Sequence, residues 1–168
     1  DGDVSASTNG NLIRTINYAF DAANQLTSAS DPDSSYAYTY DDLGRLLTVD
    51  NAGTAGAPAV VLTSTFDANN NRTGLSATIA ATVDFQNTYT YDSLNRLTRL
   101  DQSGPAGGNE VAEKRVEFAY NAIDQFTMIA RFNDTDGGAS NEIATATYSY
   151  DAIGRLTRLD YTKGGVDL

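Results

Sequence analysis

The sequence predicts an all-β fold in which tandem antiparallel β-hairpins lie side by side as a twisted or spiralling strip. Three observations predict it. A ten-residue unit recurs along the chain, paired aromatics stand two residues apart within it, and a residue that tolerates left-handed backbone angles follows an acid at a fixed distance.

One copy alone is ambiguous. In YTYDSLNRLTRLD, residues 89–101, Asp92 is a plausible helix cap and Leu94, Leu97 and Leu100 recur at a spacing of three. The other copies decide the matter. They are YAFDAANQLT from Tyr18, YTYDDLGRLL from Tyr38, STFDANNNRT from Ser64, FAYNAIDQFT from Phe118 and YSYDAIGRLT from Tyr148. Three residues after the acid stand Asn24, Gly44, Asn70, Asn95, Asp124 and Gly154. These types accept positive φ, which a type I turn followed by one left-handed residue requires and a helix interior disfavours.

The elements follow in order. The first hairpin has Tyr18 and Phe20 ahead of Asp21, with Gln25 where other copies carry Arg. The second has Tyr38, Tyr40, Asp41, Gly44 and Arg45. The third is degenerate: Ser64 replaces the first aromatic, Phe66 and Asp67 follow, and one extra residue precedes Arg72. The fourth has Tyr89, Tyr91, Asp92, Asn95 and Arg96. The fifth, also degenerate, has Phe118, Tyr120, Asn121 and Gln125, and the sixth has Tyr148, Tyr150, Asp151, Gly154 and Arg155. Residues 1–168 thus read as a single array of about six hairpins, or about twelve strands. Longer polar links, DPDSS, DNAGTAGAPA, DQSGPAGGNE and NDTDGGASNE, join the far ends.

Spacing by two places the aromatics on one face of every hairpin, and stacking the hairpins is expected to fuse those faces into a continuous core. A fully buried ring would supply about 4–6 kcal/mol before entropy is subtracted.

Composition narrows function. A net charge of −11 repels phosphate backbones and anionic headgroups, so nucleic acid is not an expected partner. The longest apolar run, APAVVL at 57–62, is far short of a span, and no membrane insertion is expected. With no Cys and no His, thiolate, imidazole and common zinc or haem chemistry is excluded. The opening DGDVSASTNG leads to the expectation of a mature product or an excised piece.

The remaining sites have structural readings beside their chemical ones. Asp41/Arg45, Asp92/Arg96 and Asp151/Arg155 would be acids tuned by cations, but turn carboxylates that bind local amides explain them better, and Asn121/Gln125 keeps the turn while losing both charges. No catalytic residue and no cofactor are therefore assigned, and a glycosidase-like carboxylate pair has nothing to mark it among 22 acids. Asp31, Asp33, Asp134 and Asp136 offer oxygens that calcium would accept, without the loop pattern of a dedicated site. The aromatic stripe reads as packing, with a sugar-stacking surface as the alternative. Specific recognition, if any, is expected at the variable links 50–58, 101–110 and 133–142.

YTYDDLGRLL, YTYDSLNRLT and YSYDAIGRLT resemble the tyrosine-aspartate (YD, or Rhs) repeat, and DANNNRT resembles a frequent variant of it. The resemblance implies a β-strip that spirals into a hollow shell, as in bacterial polymorphic toxins, insecticidal toxin complexes, wall-associated proteins and teneurins. Those toxins carry a DPxGL-like segment near the shell's end, whereas the one Asp-Pro here, Asp31-Pro32, is followed by Asp33-Ser34. Six hairpins are few for a closed shell on that pattern. The expected role is a non-enzymatic, extracellular or cell-surface structural scaffold, either part of an encapsulating shell or a head-to-tail filament unit. Its expected partners are further copies or a continuation of the array through edge strands, with a glycan or cell-surface partner as the alternative.

Overall fold

The computed structural model describes residues 4–8, 11–51, 53–104, 108, 111–136 and 141–168, with side chains from Thr15 onward. Its strands are β1 (Val4–Thr8), β2 (Asn11–Phe20), β3 (Leu26–Ser30), β4 (Ser35–Tyr40), β5 (Leu46–Asp50), β6 (Val60–Phe66) and β7 (Arg72–Ile79). The second half adds β8 (Thr82–Tyr91), β9 (Leu97–Ser103), β10 (Lys114–Tyr120), β11 (Phe126–Phe132), β12 (Glu142–Tyr150), β13 (Leu156–Lys163) and β14 (Val166–Asp167). All fourteen lie in one sheet in chain order, each antiparallel to its neighbours, so the chain is an all-β meander that does not close on itself. The count exceeds twelve because β1 and β14 flank the six repeat hairpins, β2–β3 through β12–β13.

Each repeat hairpin turns in one way. The acid's N–H donates to the carbonyl four residues on, and the N–H three residues on donates back to the acid's carbonyl, as with Asp92, Arg96 and Asn95 at 2.9 and 3.0 Å. The residue three after the acid has φ of 60° at Asn24, 80° at Gly44, 67° at Asn70, 61° at Asn95, 63° at Asp124 and 84° at Gly154. A register shift beside the second aromatic accompanies every turn, the bulge that this loop type imposes. The third turn is no exception. Asn71, not Arg72, stands at the exit, so the apparent extra residue is the first of β7 and the loop keeps its common length.

The opposite rim departs from the expectation of polar links throughout. Ile79 pairs with Thr82 across Ala80 and Ala81, whose φ values are 49° and 66°. Two alanines in left-handed geometry form a turn usually given to Asn and Gly, so no sequence signal marked it. Gly164 and Gly165 do the same between β13 and β14.

Register gives the two faces different chemistry, because paired residues share a face. Tyr38, Val49, Leu62, Ala77 and Phe85 form one continuous cross-strand row. Thr39, Thr48, Thr63, Ser76, Gln86 and Ser103 form the row on the other face. The aromatics therefore share a face, but a closed core does not follow. Among the described residues the buried apolar side chains are Ala77, Ala130, Phe132 and Ala146, while Phe20 is 54% exposed and Tyr36, Leu159 and Tyr161 are also exposed. Among the described residues no second layer lies over that face, so the rings gain only part of their possible burial energy.

Candidate functional site

The repeat residues converge on one rim, where the six aspartate-type turns line up. Within a turn, one carboxylate oxygen collects the backbone. Asp41 Oδ1 accepts from the amides of Leu43 and Arg45 at 3.0 and 2.9 Å, and Oδ2 accepts from Arg45 Nε at 2.7 Å. Asp92 with Arg96 and Asp151 with Arg155 repeat this set. Asp67 does so with Asn71, and Asp21 Oδ1 receives the amides of Ala23 and Gln25. Asn121 substitutes cleanly: its Oδ1 takes the amides of Ile123 and Gln125, and its Nδ2 donates to Gln125 Oε1.

The electrostatics agree. Amide donation from the exit arginine, followed by that residue's guanidinium, holds Asp41, Asp92 and Asp151 below the usual carboxylate range, with burial opposing it. Asp67 is lowered chiefly by the Asn71 side chain. Carboxylates held ionised and saturated with donors are poor general acids or bases near neutrality.

Successive turns are tied together by two contacts. A tyrosine hydroxyl of every later hairpin but the third donates to the first carbonyl of the preceding return strand: Tyr40 to Leu26, Tyr91 to Arg72, Tyr120 to Leu97 and Tyr150 to Phe126, at 2.8–3.0 Å. In the other direction the exit residue reaches forward. Arg45 Nη1 donates to the Asp67 carbonyl and Asn70 Oδ1, and Arg96 Nη1 to the Asn121 carbonyl and Asp124 Oδ1. Asn71 Nδ2 reaches Asn95 Oδ1, and Gln125 Nε2 reaches the Gly154 carbonyl at 2.7 Å. The guanidiniums of Arg45 and Arg96 also lie 4.8 Å from the ring centres of Phe66 and Tyr120. Phe66 lacks a hydroxyl, and there the arginine contact alone spans the gap. Arg72 lies over Tyr89 at 5.2 Å, outside this series. Tyr18, Tyr38, Tyr89, Phe118 and Tyr148, the first aromatics of their pairs, sit half-buried on the shared face.

The opposite rim holds a charge cluster that sequence reasoning missed. Arg99 and Asp101 on β9 face Glu117 and Arg115 on β10, alternating in sign. Among the described residues Arg115 is the largest fully buried side chain, 3.8 Å from the Phe132 ring centre, 3.2 Å from Glu117 and 3.6 Å from Asp134. Asn141 donates its side-chain amide to Asp134, and Arg99 donates to the Thr135 carbonyl. The alternation in TRLD and KRVE was the available signal, since it places all four charges on one face.

Of the calcium candidates, Asp31 turns its Oδ1 onto the amides of Asp33 and Ser34, Asp134 lies in the charge cluster, and Asp33 and Asp136 are exposed. Among the described residues no three acids gather as a metal site. In the link at 50–58, Thr54 exchanges hydrogen bonds with the Ser35 backbone, while parts of 101–110 and 133–142 lie outside the described residues.

Residues 20–55 match the family model RHS Repeat. No curated protein matches the sequence. Among solved structures, the crystal structure of TcdB2-TccC3-TEV is 16% identical, with a TM-score of 0.46 over 89% of this chain and 9% of that one. A porin-like protein from Bacteroides uniformis ATCC 8492 is 17% identical, with a TM-score of 0.38 over 96% of this chain and 54% of that one. The chain thus spans a small part of the first and about half of the second. The matched span contains the second turn whole, and the same turn with its left-handed residue occurs six times along the chain, so the RHS Repeat match falls on one stretch of a regular hairpin array.

Proposed function

We propose that this chain is a non-enzymatic structural scaffold of the cell surface or extracellular space, either a wall segment of an enclosing shell or a unit that assembles head to tail. The observation that carries the reading is the rim of repeated turn-to-turn contacts, in which the residues conserved between copies serve to hold one hairpin against the next. Saturated carboxylates in those turns favour a structural role over catalysis. Light scattering behind size exclusion across a concentration range tests the assembly part. Species that grow with concentration support a self-assembling unit, whereas a constant 17.9 kDa mass removes it and leaves the wall-segment reading.

A second reading, a carbohydrate-binding or adhesive module, draws on the uncovered aromatic face. Tyr18, Leu26, Tyr36 and Tyr38 line a shallow depression of about 320 Å³ there, and such faces accept sugar rings. Binding on a glycan array that disappears in Tyr36→Ala supports it; an empty array discards it.

A further inference from the structure

We infer that the outer edge of β13 is a charge-coded docking edge for one kind of strand, the first strand of a YD-type hairpin reading Arg-x-Glu-aromatic-x-Tyr. The inference rests on the scaffold reading and names the strand that the β13 edge selects.

The argument starts from a duplication. RLTRLD occurs at 96–101 and again at 155–160. At its first occurrence the edge is occupied, and the occupant is visible: β10 sets Glu117 opposite Arg99 and Arg115 opposite Asp101. Beyond these pairs, the Tyr120 hydroxyl meets the Leu97 carbonyl, and Arg96 lies over the Tyr120 ring while donating to the Asn121 carbonyl. At the second occurrence the same residues stand with no strand paired along Leu156–Asp160 on this side among the described residues. Arg158 and Asp160 make their own ion pair at 2.7 Å, as Arg99 and Asp101 do. Arg155 binds Asp151 as Arg96 binds Asp92, yet its side chain is 76% exposed where that of Arg96 is 21% exposed. Arg158 is 70% exposed where Arg99 is 34% exposed. On this side of β13, strand β14 pairs only with Thr162 and Lys163, and Leu168 N–H reaches the Tyr161 carbonyl, so the ladder stops short of Leu156–Asp160.

Charge chooses the occupant. An antiparallel strand in the register of β10 must bring a cation opposite Asp160 and an anion two residues later opposite Arg158, then a tyrosine for the Leu156 carbonyl and a turn carbonyl for Arg155. The first hairpin of a second copy does not fit. Its β2 carries Thr15 and Asn17 at those places, and Asn11–Ile16 are already paired with β1.

The test titrates the full 168-residue chain with an acetylated peptide of residues 114–133, which carries β10 and β11, following affinity and amide exchange within Leu156–Asp160. The native peptide is expected to bind and slow that exchange. A peptide with Arg115→Glu and Glu117→Arg is expected to bind about tenfold more weakly, because two cross-strand pairs turn repulsive. In a chain carrying Arg158→Asp and Asp160→Arg the preference should reverse, and Arg155→Ala should weaken both peptides without reversing it. Equal affinity for the two peptides, or a preference unmoved by the exchanged chain, overturns the charge code. Absence of binding and protection overturns the docking edge itself, while leaving the scaffold reading to the light-scattering result.

Discussion

At the residue scale, the turn acid works through two oxygens with different tasks, one closing the backbone and one anchoring the exit side chain. Asn121 shows that the first task needs no charge. Asp92→Asn is therefore expected to lower the thermal midpoint less than Asp92→Ala, which strips both amide bonds and the arginine anchor together. The acid limb of stability follows from the same groups. Their folded pKa values lie below the 3.8 of the unfolded chain, so the unfolded state takes up protons first. The stabilisation is complete above that value and is lost as pH falls through the lower, folded values. Denaturation midpoints measured between pH 6 and 2 should drop in that acid range, and less steeply in a chain with Asn at positions 41, 67, 92 and 151. Tyr120 has the opposite sign: burial raises its pKa, so its contribution is lost as the solution turns alkaline past 10.0. Removing that hydroxyl with Tyr120→Phe leaves the Leu97 carbonyl without its donor, a cost of about 0.5–1.5 kcal/mol by urea denaturation.

At the scale of elements, the repeat rim was legible in the sequence and the opposite rim was not. Six left-handed positions could be read because the side chain there is under direct conformational selection, and Asn, Asp and Gly report it. Ala80 and Ala81 adopt the same conformation with no such report, since the pairing of β7 with β8 on either side imposes it. Replacing either alanine with glycine removes the strain and should stabilise the chain by about 0.5–1 kcal/mol, against the usual direction, as a denaturant midpoint would reveal. The aromatic spacing identified a shared face correctly, yet period alone cannot say whether a second layer covers it. Nor could it find Arg115, whose burial comes from Phe132 and Asp134 on neighbouring segments. Arg115→Ala, which takes the buried cation away from Asp134 and Glu117, is expected to destabilise by about 3 kcal/mol, detectable by calorimetry.

At the scale of the whole molecule, the sheet is one-dimensional: each strand is paired only with those beside it in the chain. Stability in such an array is a sum of hairpins and interfaces, so interior hairpins hold two neighbours and terminal ones hold one. Amide exchange at neutral pH should therefore be slowest in β6–β11 and rise toward both ends, without the single global rate of a closed core. Wherever these contacts occur they share one direction, with the exit side chain reaching forward and the tyrosine hydroxyl reaching back. A ribosome releases this chain from its amino end. Every hairpin that emerges therefore meets a receptor already finished by its predecessor, and it can dock before any later residue exists. Such a strip can be laid down like brickwork at the pace of translation, with one fresh course exposed at a time.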